Sequence, residues 1–486
     1  MHRTMNPLET NLQQFRDLAA QLVEITAEYL STIDKRPVFP HTSGADTERL
    51  FATAAPEKGS QSKSINALTE ILAHSRAQNG RFFGYVQGSA DPIAALGDFV
   101  ASILNQNITA WRSSPAGVTI ERTVVRWLAE AIGCTGFNGT LTGGGSAANL
   151  MALAMVRESQ MPANEAGLFG APPCAVYASE RVHMSIPKAM AMLGLGRSCL
   201  RYIRCDESYR MDPADLEHRI SNDELQGRKP IAVIASAGTV DTGSIDPLCE
   251  ISAVARAHNL WLHVDGAYGA LAVIAAPEKF HGLDQADSVS LDPHKWLYQP
   301  LDCGCLIYQD TEIARKTFLY TGSYAKQLSS DPIEGFAFFE ESMELSRRFR
   351  ALKLWLSLSY HGLEAFRRAI RENLEHAQRL AASVRRCAEL ELMAPVALSV
   401  VCFRHVLDKD ASEDTRNRFN LELLKKIISR GKVYLSNAEL KQKFCLRACV
   451  LSHLTKREDI DCIVPEVLAA ASEVRSTGTW STGTWI

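Results

Sequence analysis

The chain has 486 residues, with 52 basic against 55 acidic side chains and a formal net charge of −3, a balance that makes no field for a polyanion and argues against a nucleic-acid partner. At 46% hydrophobic and 22% charged, the composition is that of an ordinary globular chain with enough apolar residues for a large core. No apolar run nears the roughly 20 residues of a membrane span.

The opening residues, MHRTMNPLET, turn polar at once and show no hydrophobic signal region, so the expected compartment is the cytoplasm. The 12 cysteines agree with it. Apart from Cys303 and Cys305, spaced C-x-C, they are scattered through apolar contexts, and no C-x-x-C occurs. Zinc sites want paired short spacings, so no metal is expected and the thiols read as free and mostly buried.

Residues 12–29 place Phe15, Leu18, Leu22, Ile25 and Tyr29 at helical spacing. Residues 36–64, rich in Pro, Gly, Ser and Thr, read as an extended linker, and a helical pattern returns over 65–77. Such an arm cannot bury its own faces, so it is expected to pack on another surface such as a second subunit. From about 80 to 350, short apolar runs (175–178, 231–237, 260–264, 288–291 and 304–308) alternate with helical segments. That alternation predicts an α/β domain with a mostly parallel sheet, whose ligands sit outside the carboxyl ends of the strands. A long helical region over 352–386 then leads to a smaller α+β unit with strands expected at 397–404 and 444–450. The predicted division is an N-terminal arm and linker over 1–79, a large domain over 80–350, a small domain over 351–475 and a tail over 476–486. In that tail STGTW occurs twice, and it is expected to be disordered.

Four segments of the large domain carry chemistry. In LTGGGSAANL, residues 141–150, three glycines and a serine precede a helix-forming run; such a turn points N–H groups outward and suits phosphate. There is no G-K-[ST], which disfavours a Walker-type NTPase. In WLHVDGAYG, residues 261–269, an apolar strand ends in Asp265 among small residues. In SVSLDPHKW, residues 288–296, Lys295 follows a strand-like run beside Trp296, where desolvation would favour a nucleophilic amine. In RVHMSIPKA, residues 181–189, His183 follows a strand. Each taken alone also fits an ordinary role: a strand–helix turn, a capping Asp, a snorkelling Lys, a structural His.

Taken together, a phosphate cradle, a strand-end carboxylate and an activated lysine are what pyridoxal phosphate requires. Lysine forms the Schiff base with its aldehyde, N–H donors hold its phosphate, and a carboxylate keeps its ring nitrogen protonated. The motifs HVDGAYG and DPHKW resemble those of the group II pyridoxal-phosphate decarboxylases, the family of aromatic-L-amino-acid, histidine and glutamate decarboxylases, and are most similar to its aromatic and histidine branch. The resemblance runs over about 12–474. It implies the fold type I, aspartate aminotransferase-like architecture and a homodimer with its active site at the subunit interface.

Position by position, Lys295 resembles the Schiff-base lysine, Asp265 the partner of the ring nitrogen, and Ala267 the small residue near the ring. His183 resembles the ring-stacking histidine. Gly145 and Ser146 match the phosphate-binding turn, His294 lies at the phosphate end, and Thr239 matches a strand-end threonine near the ring. Asp292 stands where relatives often carry asparagine, and Ala147 replaces a common glutamate. The implied reaction is α-decarboxylation of an L-amino acid. Residues 318–327 resemble the family's mobile catalytic loop, with Tyr324 at the tyrosine that assists protonation; relatives that make aldehydes commonly have phenylalanine there. Tyr85, Gln87, Trp111, Ser346 and Arg447 are the expected substrate-binding residues. An aromatic substrate is favoured, with a polar or acidic amino acid, or oxidative aldehyde synthesis, as the alternatives.

Overall fold

The structure is a computed structural model and describes residues 8–59, 63–320, 331–407 and 410–477. Its centre is a seven-stranded sheet in the order β1-β7-β6-β5-β4-β2-β3. The strands are β1 (Asn138–Thr142), β2 (Cys174–Ser179), β3 (Leu200–Ile203), β4 (Lys229–Ser236), β5 (Trp261–Asp265), β6 (Ser288–Leu291) and β7 (Gly304–Tyr308). Strands β6, β5, β4, β2 and β3 pair in parallel, while β7 runs antiparallel to both β6 and β1. One reversed strand between two neighbours therefore leaves β1 pointing the same way as the parallel set.

The strand sequences explain this burial. Every residue of β2, β5, β6 and β7 is buried, as expected of a sheet covered by helices on both faces. Alternate residues feed two cores. Ala175, Tyr177, Val233, Ala235, Leu262 and Val264 point into one. Val176, Ala178, Ala232, Ile234 and Trp261 point into the other, beneath the Gly145–Gln160 helix.

A second sheet, in the order β10-β11-β9-β8, is antiparallel throughout. It comprises β8 (Leu390–Leu392), β9 (Val400–His405), β10 (Ser436–Leu440) and β11 (Lys443–Cys449). Its core gathers Phe403, Leu446 and Phe444 with Phe419 and Leu423 from the Glu413–Arg430 helix. The Ala351–Arg386 helix joins the two sheets and is interrupted at Gly362, whose φ of 73° and ψ of 153° are not helical.

The 36–64 stretch departs from the expected extended linker, because Gly44–Phe51 is a helix. Ser43 Oγ accepts the Asp46 N–H and Asp46 Oδ2 accepts the Ser43 N–H, each at 3.1 Å. This capping box satisfies donors that a helix start otherwise leaves free, and composition alone does not reveal it. The Leu12–Thr32 helix buries none of its residues. The Pro92–Leu104 helix leaves Leu96, Phe99, Val100, Ile103 and Leu104 exposed. No helix among the described residues is long and apolar enough to cross a membrane. The STGTW tail lies outside the described residues except for Ser476 and Thr477, which end the last helix.

Candidate active site

Because β1, β2, β4, β5 and β6 point the same way, the segments leaving them converge at one edge of the sheet. They enclose a cavity of about 290 Å³. Gly145 and Ser146 (after β1), His183 (after β2), Thr239 (after β4), Asp265 and Ala267 (at and after β5), and Asp292, His294 and Lys295 (after β6) all line it. Sequence reasoning also named Tyr85, Gln87, Trp111, Ser346 and Arg447, and none of these is among the described lining residues. Tyr85 turns its hydroxyl to that of Tyr434, 3.2 Å away, and Trp111 packs against the main core. Gln87 is half-buried and Ser346 is exposed. Arg447 is buried and donates to the carbonyl of Val240, a lining residue, and to Ser436 Oγ at 3.1 Å. Tyr324 lies outside the described residues.

Asp265 is fixed on both oxygens. Oδ1 accepts from Ser290 Oγ at 3.1 Å and from the Ala267 N–H at 3.2 Å, and Oδ2 accepts from Asn149 Nδ2 at 2.9 Å. Ser290 is the register partner of Asp265 across β5 and β6. Two rungs earlier, His263 pairs with Ser288, whose hydroxyl lies 2.9 Å from His263 Nδ1 and takes the Trp261 indole N–H at 2.9 Å. His263 Nε2 reaches Asn149 Oδ1 at 2.9 Å. Burial pushes His263 down to about 4, against the pull of Asp265, so the ring is neutral and donates from Nε2. That donation sets which way the Asn149 amide faces.

The same Asn149 nitrogen donates to Ser185 Oγ at 2.9 Å, and Ser185 Oγ stands 2.8 Å from His183 Nδ1. The Ser185 N–H also points at Nδ1, at 3.2 Å, so Nδ1 is the acceptor and the His183 proton sits on Nε2. Asn149, Ser185, His263 and Ser290 were not read from the sequence. Asn149 lies one helical turn beyond Gly145, and His263 shares the face of β5 with Asp265. Those spacings were the available signal.

Lys295 differs from the apolar setting expected of it. Its Nζ is 2.9 Å from Asp292 Oδ2, because the short Pro293–Trp296 helix places both side chains on one face. His294 Nε2 is 3.5 Å from the same oxygen, and its Nδ1 accepts the Cys303 N–H at 3.3 Å. Burial lowers the His294 pKa, with Asp292 opposing.

The cradle fits a phosphate-bearing cofactor. Gly144 has φ +127°, and a Cβ on Gly145 would stand 2.7 Å from the Cβ of Ala267, so only glycine lets the turn lie flat against the strand end. Gly145 and Ser146 begin a 16-residue helix, and first-turn N–H groups have no helical acceptor. The Lys295 amine and an immobilised carboxylate share the cavity with them, the donor set that pyridoxal phosphate needs.

A model of the pyridoxal-dependent decarboxylase conserved domain matches residues 45–406. The chain is 33% identical to an aromatic-L-amino-acid decarboxylase of Bacillus atrophaeus over 477 residues, 96% of this chain and 97% of that one. It is 30% identical to a phenylacetaldehyde synthase of Petunia hybrida, over 92% of each. In structure it is similar to Oryza sativa TDC with PLP and tryptamine, with a TM-score of 0.89 and 27% identity over 97% of this chain and 99% of that one. A family model spanning most of the chain, laid over a site whose parts meet in one cavity, makes the chain a member of the pyridoxal-dependent decarboxylase family.

Proposed function

We propose that the chain converts an aromatic L-amino acid to its amine and CO₂, with pyridoxal 5′-phosphate as cofactor. The observation that carries this reading is the convergence of Lys295, Asp265 and the Gly145–Ser146 turn on one cavity. The aromatic preference rests on the named activities of the relatives, the Bacillus atrophaeus enzyme first. When bound, the cofactor supplies an aldehyde that joins an amine and an electron-poor ring that accepts the electron pair left at Cα as CO₂ departs.

The roles of the residues follow from their chemistry. Lys295 would hold the cofactor's aldehyde through its amine. Asp265, anchored by Asn149 and Ser290, keeps a proton on the ring nitrogen. Gly145 and Ser146 offer N–H groups to the phosphate, with His294 beside them. His183 presents its Nε2 proton to the open face of the site, and Ala267 and Thr239 leave room for a flat ring. Tyr324 returns a proton to Cα once CO₂ has gone.

Assembly as a homodimer completes the proposal. Support comes from the exposed apolar face of the Pro92–Leu104 helix and from the unburied Leu12–Thr32 helix, which a second copy would cover. Tyr85, Gln87, Trp111, Ser346 and Arg447 then shape the substrate end of the assembled site. The cytoplasm is the proposed compartment, in keeping with twelve free cysteines.

The test is release of CO₂ and amine across a panel of aromatic, acidic and imidazole amino acids. Purified protein should carry a visible absorption band that Lys295→Ala abolishes, and aromatic substrates should turn over fastest. A wild type that stays colourless with added cofactor would end the enzyme reading. Preference for glutamate or histidine would end the aromatic one, and light scattering that returned a monomer would end the dimer.

A further inference from the structure

Asp292 places a second acid in the phosphate cradle. Its side chain is almost wholly buried, at 4% exposure. Oδ2 is engaged by the Lys295 amine and faces His294, while Oδ1 is buried with no hydrogen-bond partner among the described residues. The carboxylate lies against the glycine turn. A Cβ on Gly145 would stand 3.1 Å from Oδ2, and one on Gly144 would stand 3.9 Å from Oδ1. The groove that offers N–H groups to an anion therefore already contains one.

A phosphate monoester carries close to two negative charges above about pH 6. Two anions cannot share one helix start without one of them being neutralised. Lys295 contacts only Oδ2 of Asp292, and its amine is also the group that would hold the cofactor's aldehyde. Oδ1 is the atom left to take a proton, and the O–H so formed can donate to a phosphate oxygen.

We propose that binding of pyridoxal phosphate draws a proton from solvent onto Asp292, so that cofactor affinity is pH-linked through this residue. The proposal rests on the cofactor reading above. With Asp292 ionised before binding and neutral after it, affinity falls as pH rises, by up to about one power of ten per pH unit.

The other groups around Asp292 do not supply this linkage. Buried Cys303, just before β7, is pushed up to about 12, and Cys305, on β7, well above its usual value; both stay thiols. Burial keeps His294 neutral in this range. Lys353 is held by Asp98 at 2.9 Å, and Arg350 and Arg348 are paired with Asp302 behind Gly143. Asp265 and His183 line the same cavity and are unchanged between wild type and variant.

The experiment titrates cofactor-free wild type and Asp292→Asn with pyridoxal 5′-phosphate from about pH 7 to about pH 9, reading the dissociation constant from the absorption of bound cofactor. Calorimetry in two buffers of different ionisation enthalpy counts the protons taken up. Wild-type affinity should fall at least about tenfold more than that of Asp292→Asn over this range, and the wild type should take up more protons per cofactor. Pyridoxal, which lacks the phosphate, should bind both proteins with the same pH dependence. Matching pH profiles and proton counts for the two proteins with the phosphorylated cofactor would overturn the proposal, as would a difference that persists with pyridoxal. An Asp292→Asn protein that fails to bind while the wild type binds would also overturn the proposal, whereas failure of the wild type to bind the cofactor at any pH would overturn the cofactor reading itself.

Discussion

Asn149 donates one amide nitrogen to both Asp265 Oδ2 and Ser185 Oγ, each at 2.9 Å. Through Ser185 it reaches His183, so one side chain orients both the carboxylate and the imidazole of the cavity. Its oxygen, held by His263, removes the freedom to flip. Asn149→Ala should leave the cofactor bound but lower kcat by about 10²-fold, the scale of losing a preorganised electrostatic contact. The variant should also shift the pH dependence of the bound cofactor's absorption band. Unchanged kcat with an unchanged spectrum would show the network to be structural only.

His263 makes stability depend on pH. Burial holds its folded value at about 4, below the roughly 6.5 of an unfolded chain. A base depressed in the fold lets the unfolded chain take the proton first. Its stabilising contribution is therefore whole above about pH 6.5 and lost as pH falls toward 4, by up to about 3 kcal/mol. His263→Gln keeps an N–H donor for Asn149 without titrating. Urea unfolding midpoints measured at neutral and mildly acidic pH should fall further for wild type than for this variant, and equal falls would remove His263 as the cause.

Gly145→Ala tests the cradle. The added methyl meets Ala267 at 2.7 Å and Asp292 at 3.1 Å, and both neighbours belong to buried strand ends with little room to give. Overpacking of this kind costs about 1–3 kcal/mol. Cofactor should bind some tenfold more weakly, with the thermal midpoint of the cofactor-free protein only slightly changed. A variant that retains cofactor as tightly as wild type would show that the turn is not where the phosphate is held.

Tyr324→Phe tests the partition between two outcomes. Loss of the phenol removes the proposed proton donor to Cα, so amine release should fall by about 10²-fold. Aldehyde, ammonia and hydrogen peroxide should appear in the presence of oxygen. Full amine output from this variant would remove Tyr324 from the reaction.

Strands β2, β4, β5, β6 and β7 and the reactive residues were legible for a physical reason: each is announced locally, whereas β1 and β3 at the two sheet edges were not read. Strand β5 reads as apolar residues ending in Asp265, β6 reads the same way ahead of Lys295, and three glycines mark the turn before the Gly145–Gln160 helix. Asn149, Ser185 and Ser290 carry no such mark. A polar residue inside a helix looks the same whether it faces solvent or meets a carboxylate from a strand more than a hundred positions away. The ion pair of Asp292 with Lys295 was hidden for a different reason, since spacing of three residues implies contact only once a helical turn is known there. Tyr85 and Trp111 were chosen through resemblance, and the single chain gives them other neighbours.

Strand β7 sets an order of events. It is the ladder partner of β1 among the described residues, and Thr142 meets Gly304 in that ladder. A Cβ at Gly304 would strike the Gly144 backbone at 2.4 Å, so the floor of the anion cradle is a strand made long after the cradle itself. The chain through Lys295 carries the glycine turn, Asp265 and the lysine, yet it ends before the strand against which the turn packs. The final shape of the anion cradle thus depends on pairing with a strand that follows every lining residue of the cradle in the sequence.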